Sequence, residues 1–253
     1  MDDTLHWAIL QAIKLDIARA RVTGQVAERP YGLLFFNAAN PEYHTANMAR
    51  WIRAHEPETV AEAIIAFYQG HRLTPRIKVD ALTQPADLAT RLEAYGFTIH
   101  TSTARVMVWE SVPVPTRVAP ALSVRRAGPA DLDVLVRVAA EGFGEEDSTW
   151  MRRKLHQQLA HATMRHYLAS FDGEPASCAS VLDGAGIGLV DDVTTVPAFR
   201  GRGLATAVLT QIQAEAAMPL LLEVDTADAA RIYARAGFVD RGELRETMCW
   251  LPV

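Results

Sequence analysis

Apolar and polar positions in the first part of the chain alternate in the manner of helices and short strands. The clearest helical segment has Val60, Ile64 and Phe67 on one face. A proline at its start and a glycine after its end are the usual punctuation of a helix. The predicted elements are a helix over residues 5–21, a strand over residues 31–36 and a helix over residues 57–68.

The second part of the chain is predicted to form a meander of strands that leads into a helix. Asp172 and Gly173 lie between two apolar runs, which is a strong hairpin signal. A glycine-rich turn at residues 183–186 leads to a further apolar run. Strands are predicted over residues 164–171, 175–181 and 188–196, and an apolar-periodic helix follows and continues through Ala216.

The ends of the two halves repeat one another. A Gly-Phe pair stands at residues 96–97 and again at 237–238. In both places a methionine comes ten residues after the phenylalanine and a tryptophan twelve residues after it. Because both offsets match, we interpret the halves as a duplication that forms two similar α/β units. The matching residues are Met107 and Trp109 in the first half and Met248 and Trp250 in the second.

A proline-rich segment separates the two halves. Residues 110–121 contain three prolines in twelve residues, a composition that favours an extended connector over a helix or a central strand. We therefore predict one domain over residues 1–112, a linker over residues 113–121 and a second domain over residues 122–253.

Composition places the chain among ordinary folded proteins. Of its 253 residues, 49% are hydrophobic and 22% are charged, and the net charge is -5. A mildly acidic chain offers no basic face to a nucleic acid, and it suits a cationic or amine substrate better. No apolar run approaches the roughly 18 residues of a membrane span, and the N-terminus lacks a leader pattern. We therefore expect a cytoplasmic protein with no membrane partner.

Neither the cysteines nor the histidines form a metal-binding motif. Cys178 and Cys249 lack C-x-x-C spacing and lie in apolar runs, where buried free thiols are expected. A spacing of five residues does not stack His156, His161 and His166 on one helical face, so we interpret this stretch as a solvated helix. The sequence therefore predicts no metal.

One loop carries the clearest chemical signal of the second half. It lies between a predicted strand and an apolar-periodic helix, and its glycines let backbone N–H groups approach an anion closely. The helix dipole stabilises a bound anion by about 0.3 to 1 kcal/mol at exposed sites. Two arginine side chains can also reach that anion with a positive charge. The residues predicted to bind a pyrophosphate are Arg200, Gly201, Arg202, Gly203, Leu204 and Ala205.

These residues resemble the signature of the GNAT superfamily of acyl-CoA-dependent N-acyltransferases, Gln/Arg-x-x-Gly-x-Gly/Ala. Arg200, Gly203 and Ala205 fill its three defined positions. The resemblance implies acetyl-CoA as the acyl donor, with backbone groups at Val193 and Thr195 pairing with the pantetheine arm. It also implies an α/β fold of the α+β kind, in which two GNAT-like units each form a mixed, mostly antiparallel sheet flanked by helices.

A second segment is similar to the same family. Residues 226–238 resemble the pattern Asn-x-x-Ala-x-x-Leu-Tyr-x-x-x-Gly-Phe, and Tyr233, Gly237 and Phe238 match it in register. Thr226 stands where asparagine is common, and we include it among the residues expected to bind CoA. The resemblance extends over about residues 122–253.

Amide formation benefits from an acid and a base. By the family match, Tyr233 is expected to protonate the departing CoA thiolate. Asp191, Asp192 and Glu223 lie on strands predicted to flank the acyl site, and one of them is expected to take the amine proton through water. Because side chains alternate along a strand, at most one of the adjacent Asp191 and Asp192 lines the cleft directly.

The first half lacks both features. Leu92 stands where Tyr233 stands in the second half, and no arginine-glycine loop precedes the strand that ends at Val79. We therefore expect one CoA site per chain, with a degenerate domain at residues 1–112 and a catalytic domain at 122–253. The first half is expected to wall the amine pocket, to fix the second half or to make a homodimer.

The sequence thus predicts an N-acetyltransferase in which a primary amine attacks acetyl-CoA directly in a ternary complex. The amine acceptor is left open between a small molecule and a peptide. A second class of function also stays open, namely an acyl-CoA-binding regulatory module without turnover, because its loop and fold would look the same.

Overall fold

The computed structural model of the chain describes residues 3–110 and 119–252. The first segment begins with a long helix and continues as short strands and two further helices. The helices predicted over 5–21 and 57–68 and the strand over 31–36 are confirmed. Its elements are α1 (Asp3–Thr23), β1 (Gln25–Arg29), β2 (Gly32–Phe36), β3 (Ala49–Arg50), α2 (Pro57–Gly70), β4 (Arg76–Val79), α3 (Leu88–Ala94) and β5 (Thr98–Trp109).

The second segment contains the predicted meander and four helices. Its elements are β6 (Leu122–Ala127), α4 (Leu132–Phe143), α5 (Thr149–Leu159), β7 (Met164–Phe171), β8 (Glu174–Asp183), β9 (Gly188–Thr195), α6 (Leu204–Glu215), β10 (Leu220–Val224), α7 (Ala227–Arg235) and β11 (Val239–Trp250). The meander is confirmed, because β7, β8 and β9 pair antiparallel in sequence order. Among the described helices, none combines the length and the apolar character that crossing a membrane requires.

Two compact units make up the fold, and each combines segments from both halves of the chain. Unit 1 contains the residues up to Leu15 and those from Ala104 to Glu243, and unit 2 contains Asp16–Thr103 and the residues from Leu244 onward. The predicted linker, residues 113–121, lies mostly outside the described residues. The domains at 1–112 and 122–253 therefore stay predictions.

Unit 1 contains a mixed sheet whose strands are mostly antiparallel. β6, β7, β8 and β9 pair antiparallel one after another. β9 and β10 are parallel, and helix α6 supplies the crossover that a parallel pair needs. β10 then pairs antiparallel with the end of β5. The parallel step is therefore the one place between β6 and β10 where neighbouring strands run in the same direction.

Unit 2 follows the same plan with shorter strands. β1, β2 and β3 pair antiparallel, β3 and β4 are parallel across α2, and β4 pairs antiparallel with the end of β11. Each unit thus has antiparallel strands, one parallel crossover and a final antiparallel strand. The shared plan supports the interpretation of two similar α/β units.

The final strands are exchanged between the two halves of the chain. The end of β5 belongs to the first half, yet it pairs with β10 of the second half, with Met107 opposite Leu222. The end of β11 belongs to the second half, yet it pairs with β4 of the first half, with Met248 opposite Lys78. The repeat found in the sequence therefore marks the two exchanged strands.

The exchanged strand of unit 1 contributes side chains to the core as well as backbone bonds. Trp109 is 2% exposed and packs in the same cluster as Leu220 and Leu222 of β10 and Ile212 of α6. Full burial of a large apolar side chain stabilises a fold by about 1.5–3 kcal/mol. The core beneath α6 thus depends on a residue from the first half.

Unit 2 contains a buried cluster of charges around Asp16. The carboxylate of Asp16 accepts from Arg19 at 2.6 Å and from Lys78 at 2.7 Å, and it is also in contact with Arg50. Lys78 makes a second ion pair with Glu246 at 2.6 Å. Asp16 is 3% exposed and Arg50 2%, so this cluster is paired away from water.

Candidate active site

The strands β9 and β10 part after a short stretch of pairing. Their parallel register joins Leu220 to Gly188 and Leu221 to Leu189. β9 nevertheless continues to Thr195, and β10 continues to Val224. Two strands that diverge in this way leave main-chain groups to which an extended ligand can add as a strand does.

A β-bulge in β9 lies beside this opening. The register between β8 and β9 shifts between Cys178 and Ser180, and Asp192 has a left-handed backbone with φ of 54°. Aspartate tolerates this conformation better than most residues. Bulges re-aim side chains next to functional sites, and this one gives the neighbours Asp191 and Asp192 different surroundings.

The predicted pyrophosphate loop connects β9 to α6. Gly201 has φ of 75° and Gly203 has φ of 85°, both in the left-handed region that favours glycine. Helix α6 begins at Leu204, and its first helical bond runs from Ala207 N–H to Gly203 O at 2.9 Å. The N–H groups before Ala207 lie at the positive end of the helix dipole, which is the arrangement that binds phosphate.

The two arginines of the loop have different surroundings. Arg200 donates from Nε to Thr195 O at 3.1 Å and from Nη2 to Gly142 O at 2.9 Å, so its guanidinium ties the loop to β9 and α4. Arg202 lies over the rings of Phe171 and Phe199, 4.7 Å and 5.2 Å from their centres. Arg202 is exposed, so its own positive charge lies at the loop surface. The role of both arginines in CoA binding stays a prediction.

Helix α7 carries the second predicted motif. Thr226 is its N-cap, and its hydroxyl accepts from Ala229 N at 3.3 Å. Tyr233 lies on the helix with its ring centre 6.1 Å from that of Phe238, and both pack on the core of unit 1. The capping role explains why a threonine suits position 226, while its contact with CoA stays a prediction.

Tyr233 is held in its protonated form by its surroundings. Burial, and then the negative charges of Asp191 and Asp225, raise the pKa of Tyr233 to about 12. Asp191 is on β9, and Asp225 directly follows β10. The effect of both charges indicates that the ring of Tyr233 lies near the strands that part here. At neutral pH its hydroxyl can therefore act as a proton donor.

The two adjacent aspartates of β9 have different partners. Asp192 accepts from Lys154 Nζ at 2.6 and 2.7 Å, so its charge is neutralised by a lysine of α5. Asp191 accepts from the backbone N–H of Asp192 at 2.9 Å, and its charge acts on Tyr233. Of the two, Asp191 is the one placed toward the predicted acid, and the choice of base stays a prediction.

Glu223 lies on the other side of the opening, in β10. Leu222 and Val224 on either side of it pack in the core under α6, so alternation places the half-buried Glu223 on the opposite face of the strand. Its position on the strand opposes Val106 of β5. Val190, which precedes Asp191, packs in the same core cluster, so alternation places Asp191 and Glu223 on the same face of the sheet, and the role of either as base stays a prediction.

The interpretation of the histidine stretch as a solvated helix is wrong for His166. This residue lies in β7, not in a helix, and it is 3% exposed. Only His156 lies in α5, and it is exposed. Strand alternation could have placed His166 on the buried face with Leu168, because Tyr167 and Ala169 pack on the other side of the sheet.

Lys154 was also missed by the sequence analysis. It lies on α5 at helical spacing from Met151, Leu155 and Gln158, and all four side chains are buried. A lysine within an apolar helical stripe is unusual, because lysine is almost never fully buried unless it is paired. That spacing was the signal that could have predicted an ion pair at this position.

Burial of His166 makes acid stability depend on this residue. Burial lowers the pKa of His166 from 6.5 to about 4; Asp192 opposes this by a smaller amount, and the effects of Lys154, which lowers the pKa, and Asp191, which raises it, are smaller still. Below pH 6.5 the unfolded chain binds a proton that the folded chain rejects, so stability falls as the pH drops toward 4. The wild type should therefore lose about 2 kcal/mol of its free energy of unfolding between pH 7 and pH 5, and we expect His166→Leu to avoid this loss.

Urea unfolding of both proteins at pH 7 and pH 5 measures this difference. The exposed His156→Leu should behave as the wild type does at both values of pH, since its ring is in water in either state. An equal loss of stability in the wild type and His166→Leu between the two pH values would contradict the burial of a neutral ring.

The corresponding place in unit 2 lacks the features that bind an anion. Helix α2 occupies the position of α6 between parallel strands, but it begins at Pro57, which has no N–H to donate. Glu56 occupies the N-cap position without a side-chain capping bond, and Glu58 lies in the first turn, so the negative charge near the start of this helix disfavours a bound phosphate. Leu92 of α3 is buried in the core and has no proton to give.

Among residues 3–110 and 119–252, no three side chains of the ligand-forming types come together as a metal site. Cys178 and Cys249 are both free and buried, as expected, and burial raises the pKa of each thiol to about 12. Both thiols therefore stay protonated and unreactive at neutral pH.

The segment of unit 1 that contains the loop and Tyr233 matches a known family model. Residues 162–240, which extend from just before β7 to the start of β11, match the family model of the acetyltransferase (GNAT) domain. The resemblance found in the sequence is therefore confirmed over this segment, which contains the loop and Tyr233. No curated protein matches the chain.

Solved structures share this fold over nearly their whole length. A GCN5-related N-acetyltransferase from Kribbella flavida is 17% identical with a TM-score of 0.68, and the match covers 100% of this chain and 97% of that one. A tandem GNAT protein from the clavulanic acid biosynthesis pathway is 15% identical with a TM-score of 0.60, with 100% and 96% covered. A conserved protein of unknown function from Staphylococcus epidermidis is 13% identical with a TM-score of 0.69, with 90% and 94% covered. The predicted fold class of two GNAT-like units is confirmed.

Proposed function

We propose that this protein is an N-acetyltransferase that transfers the acetyl group of acetyl-CoA to a primary amine by direct attack in a ternary complex. The observation that carries the proposal is the position of Tyr233, whose pKa is raised to about 12 by burial and by Asp191 and Asp225. Tyr233 lies on α7, the helix that follows β10, and the effect of Asp191 on β9 and of Asp225 after β10 supports a proton donor near the opening between these strands.

The residues of unit 1 fit acetyl-CoA as the acyl donor. The loop offers backbone N–H groups at the start of α6, and the left-handed Gly201 and Gly203 let a pyrophosphate approach the backbone. Near Gly201, a side-chain carbon would meet no atom within 4 Å, so space above the loop is open. Backbone groups of Val193 and Thr195 are proposed to hold the pantetheine arm, although Thr195 O already accepts from Arg200.

Acetyl-CoA supplies an activated acyl group as a thioester. The amine nitrogen forms the new C–N bond at the acyl carbon, and the C–S bond breaks. Tyr233 donates its proton to the departing sulfur, and the amine proton leaves through water toward Asp191, the carboxylate with the largest effect on the pKa of Tyr233. The acidic pair Asp191 and Asp225 also attracts a cationic amine to the site.

Binding geometry supplies a larger share of the rate than proton transfer. Well-oriented reactants reach effective molarities of about 10⁵ M or more, which removes a large part of the barrier. The divergence of β9 and β10 supports a large contribution from binding geometry. Acetyl-CoA and the amine can then approach the same opening from the two faces of the sheet.

The competing proposal is an acyl-CoA-binding module without turnover. A thiol-release assay with acetyl-CoA and a panel of antibiotics, polyamines, amino acids and peptides separates the two. Transfer to any amine supports the enzyme, whereas binding of acetyl-CoA without release of CoA by any amine supports the module. Calorimetric titration is expected to reach saturation at one acetyl-CoA per chain, since α2 of unit 2 begins with Pro57 and is flanked by carboxylates.

Gly203→Ala is expected to weaken acetyl-CoA binding about tenfold. A residue with a side chain in the left-handed region costs about 1–2 kcal/mol, and Gly203 has this conformation. With alanine at position 203 the loop is expected to relax away from the conformation that binds the pyrophosphate. Gly186→Ala is the matched control, because Gly186 also has a positive φ of 83° with open space around it, but it lies before β9. Equal acetyl-CoA dissociation constants for the two variants would contradict the loop assignment.

A further inference from the structure

An open cleft lies in unit 2, between the turn that joins β1 to β2 and the residues that follow β3. Its walls include Tyr31 of the turn, together with Trp51 and Arg53. The cleft has about 190 Å³ of free space. A cavity of about 150 Å³ is sufficient for a benzene molecule, so this cleft has room for one aromatic ring with a small substituent.

Trp51 has a backbone conformation that is rare for a bulky residue. Its φ is 53°, in the left-handed region, where a large side chain is a genuine outlier. Its side chain is 41% exposed, so full burial of the ring does not account for the strain. Gly32 of the turn packs closely on this segment, since a side-chain carbon there would come within 3.0 Å of Arg50 O. Strain that is fixed by close packing and presents a large ring to solvent is typical of a binding site.

The cleft has a surplus of positive charge. The guanidinium carbon of Arg53 lies 5.4 Å from the ring centre of Trp51, and Arg29 donates from Nη1 to Glu28 O at 3.0 Å. Within residues 3–110 and 119–252, neither arginine forms an ion pair with a carboxylate. The carboxylate of Glu28 already lies 3.1 Å from Arg21 of α1. Guanidinium N–H groups of the cleft are therefore available to an anion.

The main chain around Arg53 is fixed on both sides. Arg53 N–H donates to Tyr31 O at 2.9 Å, which joins the two walls of the cleft. On the other side, Gln84 N–H donates to Ile52 O and Ala54 N–H donates to Gln84 O, both at 2.8 Å. These bonds fill the place after β3 that corresponds to the opening between β9 and β10 in unit 1. A pantetheine arm therefore has no such opening in unit 2, and the ligand of the cleft is of another kind.

We propose that this cleft binds a small aromatic carboxylate, which is a single ring that carries one carboxylate group. The exposed indole of Trp51 offers a surface against which an aromatic ring can pack. Arg53 and Arg29 offer guanidinium groups, whose planar arrangement of donors matches the two oxygens of a carboxylate. The free space suits one ring rather than a nucleotide. This site is separate from the proposed acetyl transfer and does not rest on it.

Three probes that differ in one property each test the proposal. Benzoate has both the ring and the charge, cyclohexanecarboxylate has the charge without an aromatic ring, and benzyl alcohol has the ring without the charge. Calorimetry at pH 7 on the full chain, with CoA in excess, measures their dissociation constants. We expect benzoate to bind at one per chain and about tenfold more tightly than either of the other two probes, because it combines a stacked ring with charge-assisted hydrogen bonds.

Trp51→Gly is expected to reduce the preference for benzoate over cyclohexanecarboxylate to about one. Glycine adopts a positive φ readily, so the substitution removes the ring while the backbone can keep its conformation. Trp7→Ala is the matched control, because Trp7 of α1 is 42% exposed and lies outside the lining of the cleft. Thermal unfolding at pH 7 checks that both variants are folded.

Arg53→Gln tests the cleft without changing the backbone at Trp51. We expect it to remove most of the preference for benzoate over benzyl alcohol, because the charge beside the indole is lost. Arg105→Gln is the control, since Arg105 of β5 is an exposed arginine outside the lining of the cleft. This control should retain the wild-type preference.

Several outcomes would overturn the proposal. One is equal binding of benzoate and cyclohexanecarboxylate to the wild type, and another is a preference for benzoate that persists in both Trp51→Gly and Arg53→Gln. A second CoA per chain that is lost in Trp51→Gly would assign the cleft to CoA instead. Release of CoA from acetyl-CoA by an amine is measured separately, so failure of the cleft proposal leaves the proposed acetyl transfer in place, and the reverse also holds.

Discussion

Tyr233→Phe is expected to lower kcat by about a hundredfold or more, the range for loss of a general acid, while the dissociation constant of acetyl-CoA changes little. The phenylalanine retains the ring that packs beside Phe238, so the helix keeps its place. It removes only the hydroxyl, which is the group whose proton the raised pKa preserves. Loss of kcat with unchanged binding is the signature of an interaction made in the transition state.

Tyr167→Phe is the matched control for this substitution. Its hydroxyl donates to Glu215 at 2.9 Å beneath α6 and is bonded to Arg165, so its loss affects stability but not the transfer step. Since the pKa of Tyr233 is raised to about 12, the wild-type rate should show no fall from tyrosine ionisation up to pH 10. A kcat for Tyr233→Phe equal to that of Tyr167→Phe would remove the acid from the mechanism.

Asp16→Asn is expected to destabilise the protein by about 3–5 kcal/mol, because it leaves buried cations without their shared anion. Arg50 is 2% exposed and Lys78 7%, and both contact the carboxylate of Asp16. Natural domains are stable by only about 5–15 kcal/mol, so this loss is a large fraction of the total. Urea unfolding at pH 7 measures it.

Glu28→Gln makes the same carboxylate-to-amide change in an exposed pair. Glu28 lies 3.1 Å from Arg21, with 68% and 46% of the two side chains exposed. Exposed pairs contribute about 0–1 kcal/mol, so this variant should unfold close to the wild-type midpoint. Similar losses for the two variants would show that the Asp16 cluster is not the buried ion pair that its geometry describes.

Local signals in the sequence were sufficient to predict the conformation of the loop and the place of Tyr233 on a helix, while their roles stay predictions. Gly201 and Gly203 are adjacent to an apolar-periodic helix, and both take the left-handed conformation that a close-approach loop requires. Tyr233 was placed by its register with Gly237 and Phe238, and it lies on α7 as expected. These features depend on residues near in sequence, for which spacing is informative.

The bulge and its consequences could not be read from the sequence. Alternation predicted that Asp191 and Asp192 point to opposite faces, and the structure gives them different partners, but through an irregular backbone at Asp192 with φ of 54°. The ion pair of Asp192 with Lys154 joins residues far apart in the chain. Such pairs are set by tertiary packing, which periodicity does not encode.

The misplacement of His166 has the same physical origin. Three histidines at regular spacing suggested one helix, whereas the chain turns from α5 into β7 between them. The decision between a short buried strand and a helix rests on long-range pairing, here of β7 with β6 and β8. Only the assembled sheet shows that His166 is buried.

The exchange of final strands gives a reason for keeping the first half of the chain, although that half has neither the glycine loop nor the tyrosine. A duplicated domain that loses its own ligand site is ordinarily free to be lost. Here the first half supplies the strand beside β10 and the buried Trp109 beneath α6. Deleting the first half would expose the edge of β10 next to the proposed transfer site, so we expect the second half to need the first for a stable fold.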